Sequence, residues 1–172
     1  MASRSPLSPL ELIAALGLEP HSQEGGHFTE TWRADETLAA GALPARYRGP
    51  RALGTAIYYL LTPGTFSAMH RLASDEVFHF YLGDPVEMLL LEPGGEGRVL
   101  RLGADFAAGE RPQVIVPRGI WQGSHLAPGG QVALLGTTVA PGFDPADFEL
   151  GARGPLRGGW PRFADRIDSL TR

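Results

Sequence analysis

Between Gly64 and Gly83 the chain reads GTFSAMHRLASDEVFHFYLG. Two of its side chains could do proton chemistry together: His70, from the class that exchanges protons near neutral pH, and Glu76, a carboxyl six positions later. Proton abstraction beside a carbonyl, as in an epimerase or isomerase, needs such a base and acid. The same pair, joined by the amide oxygen of Gln122 in PRGIWQ, is also the beginning of a metal site. One imidazole, one carboxylate and one neutral oxygen are a weak set for Fe, Ni, Mn or Zn, which prefer two or three imidazoles with a carboxylate. A buried histidine bonded to a glutamate is also a common way to satisfy a core, with no chemistry at all.

Composition removes several alternatives. The 172 residues contain no cysteine, so disulfides, thiolate nucleophiles and iron–sulfur ligation are excluded. All 15 basic residues are arginine, so Schiff-base chemistry on a lysine is excluded too. A net charge of −4 with arginines scattered along the chain gives no basic stripe for a nucleic-acid backbone. No apolar run approaches membrane-span length, and MASRSPLSPLELIAALGLEP lacks a signal-peptide pattern, so a cytoplasmic location is the expectation.

The elements that must hold these groups are short and extended. SPLELIAALG predicts one leading helix, with Ser8 as N-cap, Glu11 closing a capping box and Gly17 as the stop. After it, runs such as GGHFTETWR, GTAIYYLLTPG, FHFYLG, VEMLLLEPGG, PQVIVPRG and GQVALLGTTVAPG are each punctuated by Gly or Pro. Strands of this length without helical periods between them predict an antiparallel sandwich or barrel. In GGHFTETWR, alternation sets Phe28, Glu30 and Trp32 on one face. The apolar runs Met88–Leu91 and Val132–Leu135 read as strands buried on both faces. ARGPLRGGWPRF reads as coil, with ADRIDSLTR forming a last helical turn. The whole chain is expected to be one domain, with its barrel core at about residues 24–150 and a tail at 151–172.

Gly64, five residues, His70, then Glu76, six residues and Gly83 resemble the first motif of the cupins, which are double-stranded β-helix barrels. Leu72 stands where that motif has its second histidine. Pro117, Gly119 and Gln122 resemble the end of the second motif, with glutamine replacing histidine. More narrowly, EGGHFTETWR, TAIYYLL, HRLASDEVFHFYLGDPVEM, VPRGIWQ and TVAPGFDPADFEL, in that order, resemble the fifth cupin family. The resemblance implies an all-β jelly-roll barrel with a short N-terminal helix, a homodimer and a pocket in the barrel mouth. It implies no particular reaction, although the barrel is similar to that of sugar-nucleotide epimerases.

The favoured expectation is a small polar molecule bound among Tyr59, Phe78, Phe80 and Trp121, with His70 and Glu76 as the catalytic pair and Gln122 in contact by its motif position. A metal-dependent oxygenase or isomerase and a non-catalytic sensor are the alternatives. His79 is a further expected ligand contact, although alternation turns it away from Glu76 unless a bulge re-aims it. Arg71 and Asp75 are expected to form a local ion pair, with a phosphate contact as the other role for Arg71. Asp144 and Asp147 are expected to solvate turn backbone.

Overall fold

The computed structural model describes residues 8–172. Met1–Leu7, the start of the segment read for a leader, lie outside the described residues. Helix α1 (Pro9–Leu16) begins at Ser8, whose Oγ accepts from the Glu11 amide while the Ser8 amide donates to Glu11 Oε2 at 2.7 Å. Gly17, at φ 62°, ends it in the left-handed conformation that glycine adopts without steric cost.

The strands that follow are β1 (Glu19–Pro20), β2 (His27–Arg33), β3 (Thr37–Leu38), β4 (Arg51–Ala52), β5 (Thr55–Leu61), β6 (Phe66–Leu72) and β7 (Asp75–Gly83). Next come β8 (Val86–Leu91), β9 (Gly97–Leu102), β10 (Gln113–Val116), β11 (Trp121–Leu126), β12 (Ala133–Ala140) and β13 (Phe148–Leu150). They form a six-stranded sheet, β1-β2-β5-β12-β7-β10, facing a five-stranded one, β13-β6-β11-β8-β9, with β3 and β4 as a separate ribbon. Every pairing between these strands is antiparallel. The chain is therefore the antiparallel β sandwich that its turn rhythm predicts, and the jelly roll that the resemblance implies.

The two sheets enclose a core that is filled at one end and polar at the other. Tyr59, Leu61, Phe78, Met88, Leu90 and Leu135 pack together between the sheets. Towards the other end, the inward positions become Thr55, Glu76 and Thr137 on three of the same strands, joined by His70 from β6. Gly83 closes β7 at φ 101°, and a Cβ there would stand 2.2 Å from the Val132 carbonyl oxygen, so only glycine fits the approach of β12.

The outer faces explain the doubly apolar runs. Leu60 and Leu134 lie beneath Leu12 of α1. Leu89, Leu91 and Met69 lie beneath Leu156, Ile167 and Leu170 of the C-terminal segment. In that segment ARGPLRGGWPRF departs from the expected coil, whereas the helical turn expected over ADRIDSLTR is present. The segment forms α2 (Arg153–Gly159) and α3 (Ala164–Ser169), because burying three apolar side chains on the five-stranded sheet outweighs the weak helix propensity of its glycines. Among the described residues no helix is long and apolar enough to cross a membrane.

Candidate functional site

The polar end of the barrel opens into a cavity of about 160 Å³. His70 and Leu72 reach it from β6, Glu76 from β7, Thr55 and Ile57 from β5, and Thr137 and Val139 from β12, as period-two alternation requires of residues on one face. From β2 come Phe28 and Glu30, but the expected third member, Trp32, does not follow. A bulge between Glu30 and Trp32 shifts the register against β5, so Trp32 faces outward, 51% exposed, and Arg33 takes the inward place. Arg33 lies there paired with Glu30 through two contacts of 2.9 and 2.7 Å.

His70 is 2% exposed, and its Nδ1 lies 2.7 Å from the Ala68 carbonyl oxygen. A carbonyl can only accept, so the proton of the neutral ring sits on Nδ1 and Nε2 carries the lone pair. The ring stacks on Phe148 at 5.1 Å between centroids. Glu76 Oε2 accepts from Gln122 Nε2 at 2.6 Å. Burial pushes the Glu76 carboxyl above its ordinary range and Glu24 adds to the rise; His70 and the hydrogen bonds from Gln122 and Thr137 act against it.

That shift has a definite consequence for stability. The folded state keeps a proton that the unfolded chain releases, so this contribution is fully present below the ordinary carboxyl value of 4.5 and is lost as pH rises through the raised folded value. Glu76→Gln keeps an acceptor for Gln122 and removes the titration. Urea midpoints measured across the acid range should therefore fall less steeply with pH in the variant than in the parent; parallel slopes would refute the buried, proton-holding carboxyl.

The loop before β2 supplies the residues that alternation could not reveal. His21 and Glu24 both line the cavity. His21 Nδ1 accepts from the Glu24 amide at 2.9 Å, and Glu24 Oε1 accepts from Ser67 Oγ at 2.5 Å. The adjacent Gly25 and Gly26, at φ 102° and 66°, were the available signal of a tight, specifically shaped loop.

The expected aromatic walls are different ones. Tyr59, Phe78 and Phe80 belong to the filled half of the barrel. The Tyr59 hydroxyl donates to the Gly25 carbonyl at 2.8 Å, and its pKa is driven well above 10, first by burial and then by Glu24. Trp121 faces outward beneath the Arg71 guanidinium, 4.5 Å from its ring centre. Phe28, Phe143 and Phe148 line the cavity instead. Gln122 is buried behind Glu76 and does not line it. His79 faces the outer side, its Nε2 3.1 Å from Thr138 Oγ1. Arg71 pairs with Glu149 rather than with Asp75, which pairs with Arg118, because β13 runs beside β6 and brings Glu149 opposite Arg71.

The donor set does not fit a transition metal. Leu72 offers no ligand, the Glu76 carboxylate is engaged by an amide N–H, and the Gln122 carbonyl oxygen is buried without a hydrogen-bond partner among the described residues. No group of three or more His, Cys, Asp or Glu side chains among those residues is placed to hold an ion.

Comparison with known proteins agrees with this architecture. The family model described as Cupin superfamily (DUF985) matches residues 10–151. The uncharacterised protein YML079W of Saccharomyces cerevisiae is 31% identical over 147 residues, covering 81% of this chain and 73% of its own. Among solved structures, protein SO0799 from Shewanella oneidensis is 35% identical with a TM-score of 0.84, covering 97% of this chain and 99% of its own. A hypothetical protein from Leishmania major is 28% identical with the same TM-score, covering 96% and 99%.

Proposed function

The chain belongs to the DUF985 family of the cupin superfamily, and from that premise we propose that it binds a small, hydroxyl-rich molecule in the barrel mouth and moves a proton on it, as an epimerase or isomerase of sugar-like substrates does. The observation that carries this reading is the pairing, in one cavity, of an imidazole tied through Nδ1 with a buried carboxyl biased towards its protonated form. The cavity is small against the ~300–1,000 Å³ of drug-sized sites, which matches a single compact ring or short chain.

In this reading His70 Nε2 takes a proton from a carbon beside a carbonyl. The C–H electron pair moves into the new C=C bond, and the carbonyl oxygen gains the negative charge. Glu76, protonated, gives its proton to that oxygen and then takes the proton of the hydroxyl on the deprotonated carbon, which becomes the new carbonyl, while His70 returns its proton to the former carbonyl carbon. Phe148 keeps the ring plane fixed, and the Ala68 carbonyl keeps its tautomer.

The test is solvent exchange. Candidate hydroxy-carbonyl compounds incubated with the protein in deuterated water should lose the proton signal beside the carbonyl. Saturable binding with no exchange for any of them would favour a sensor and reject catalysis.

The same reading includes a homodimer. Its support is the open outer face of the six-stranded sheet, where Tyr81 (51% exposed) and Ile115 (58%) stand beside His79 and Tyr58. Sedimentation velocity should return twice the 18.4 kDa chain mass; the single mass would dismiss the pair.

A further inference from the structure

We propose that a groove beside the barrel mouth holds the phosphate or diphosphate of a ligand whose hydroxylated end occupies the cavity; the second half of this statement rests on the function proposed above, the first half does not. The groove encloses about 520 Å³, and four arginines line it: Arg46, Arg48, Arg71 and Arg118. Leu72 and Phe148 form part of its wall and also part of the cavity's, so one molecule can lie across the rim with an end in each.

Two of the four guanidiniums are held in place by fixed contacts. Arg46 donates to the Ala73 carbonyl at 2.9 Å and lies over the Tyr47 ring at 4.7 Å. Arg71 is held by Glu149 at 2.7 Å and by the face of Trp121. An arginine fixed on one edge and one face keeps its remaining N–H groups aimed in a constant direction, which is how this side chain recognises phosphate oxygens. The turn Pro117–Ile120 sets Arg118, with Gly119 at φ 76° and the Ile120 amide donating to the Pro117 carbonyl at 3.2 Å. Arg48 has no hydrogen-bond or ion-pair partner among the described residues.

The carboxylates nearby offset only part of this charge, leaving Arg46 and Arg48 without an acidic partner among the described residues. Asp147 lines the groove but is saturated by Arg51, which grips it through contacts of 2.7 and 2.6 Å from outside the lining. Glu149 is committed to Arg71. Asp75 accepts the Arg118 amide at 2.8 Å and stands 3.7 Å from its guanidinium, beyond hydrogen-bond range. Elsewhere several arginines meet acids one to one, as in Arg33–Glu30, Arg98–Glu92, Arg162–Glu96 and Arg166–Glu87. In a chain of net charge −4, a groove with a local excess of cations is stabilised by an anion that bridges them.

Inorganic pyrophosphate titrated into the full chain by calorimetry is the direct test. One site per chain is expected, weaker at high salt, with orthophosphate binding less tightly. The exposed pair Arg48→Gln and Arg118→Gln together should weaken pyrophosphate at least tenfold while circular dichroism and the thermal midpoint stay at parental values. His70→Ala should leave pyrophosphate affinity unchanged. Absence of saturable binding, or binding indifferent to the double substitution, overturns the groove. Binding that behaves as expected in a protein that exchanges no substrate proton keeps the groove and removes only the catalytic reading of the cavity.

Discussion

Replacing His70 by alanine lowers the rate of proton exchange on a bound substrate by about 10²–10⁴-fold, the usual worth of a positioned general base. The loss should fall on kcat more than on KM, because the cavity keeps Glu24, Glu30 and Thr137 to hold hydroxyl groups, whereas the other imidazole lining it, His21, has its Nδ1 lone pair taken by the Glu24 amide. His70→Gln should not rescue it, since an amide cannot take a proton at neutral pH. The rate of deuterium incorporation in parent and variants decides the matter. Equal rates would remove His70 from the chemistry and leave it as a satisfied core residue.

Replacing Arg51 by alanine costs about 3–5 kcal/mol of folding stability, the largest single effect expected from any side chain outside the core. Arg51 and Asp147 are 4% and 6% exposed at their side chains and meet bidentately, joining β4 to the segment that leads into β13. Removing the cation strands a buried carboxylate, whose desolvation is then uncompensated. For a chain of this length the thermal midpoint should fall by roughly 6–20 °C. The double variant Arg51→Met with Asp147→Leu should recover most of that loss, because an apolar pair has no charge to desolvate. If the single and double variants lose equally, the pair's role is packing and not charge compensation.

Much of the barrel was legible because its strands are short and their ends are marked by Gly and Pro, and because side chains two apart share a face. That parity alone places His70 with Leu72, and Glu76 with Phe78 and Phe80, as the structure does. It fails where the count is interrupted. The bulge in β2 exchanges Trp32 for Arg33, and no residue type in ETWR announces it. It is silent where partners lie far along the chain. Phe148 reaches His70 only because β13 pairs with β6, and Asp147 meets Arg51 across 96 positions, so an aspartate that looks like a turn residue is a buried ion. Helix α2 was hidden for the opposite reason: its local composition argues for coil, and it is overruled by the apolar faces of Leu89, Leu91 and Met69 beneath it.

The clothing of one sheet by α2 and α3 also limits how copies of this molecule can join. With the five-stranded face occupied by the chain's own end and α1 lying over Leu60 and Leu134, the sheet surface still bare among the described residues is the part of the six-stranded sheet around His79, Tyr81 and Ile115. Association through a single self-complementary surface ends at two subunits, since neither has a second one to offer a third. For the homodimer proposed above, the tail is then what separates a closed pair from an open-ended fibre.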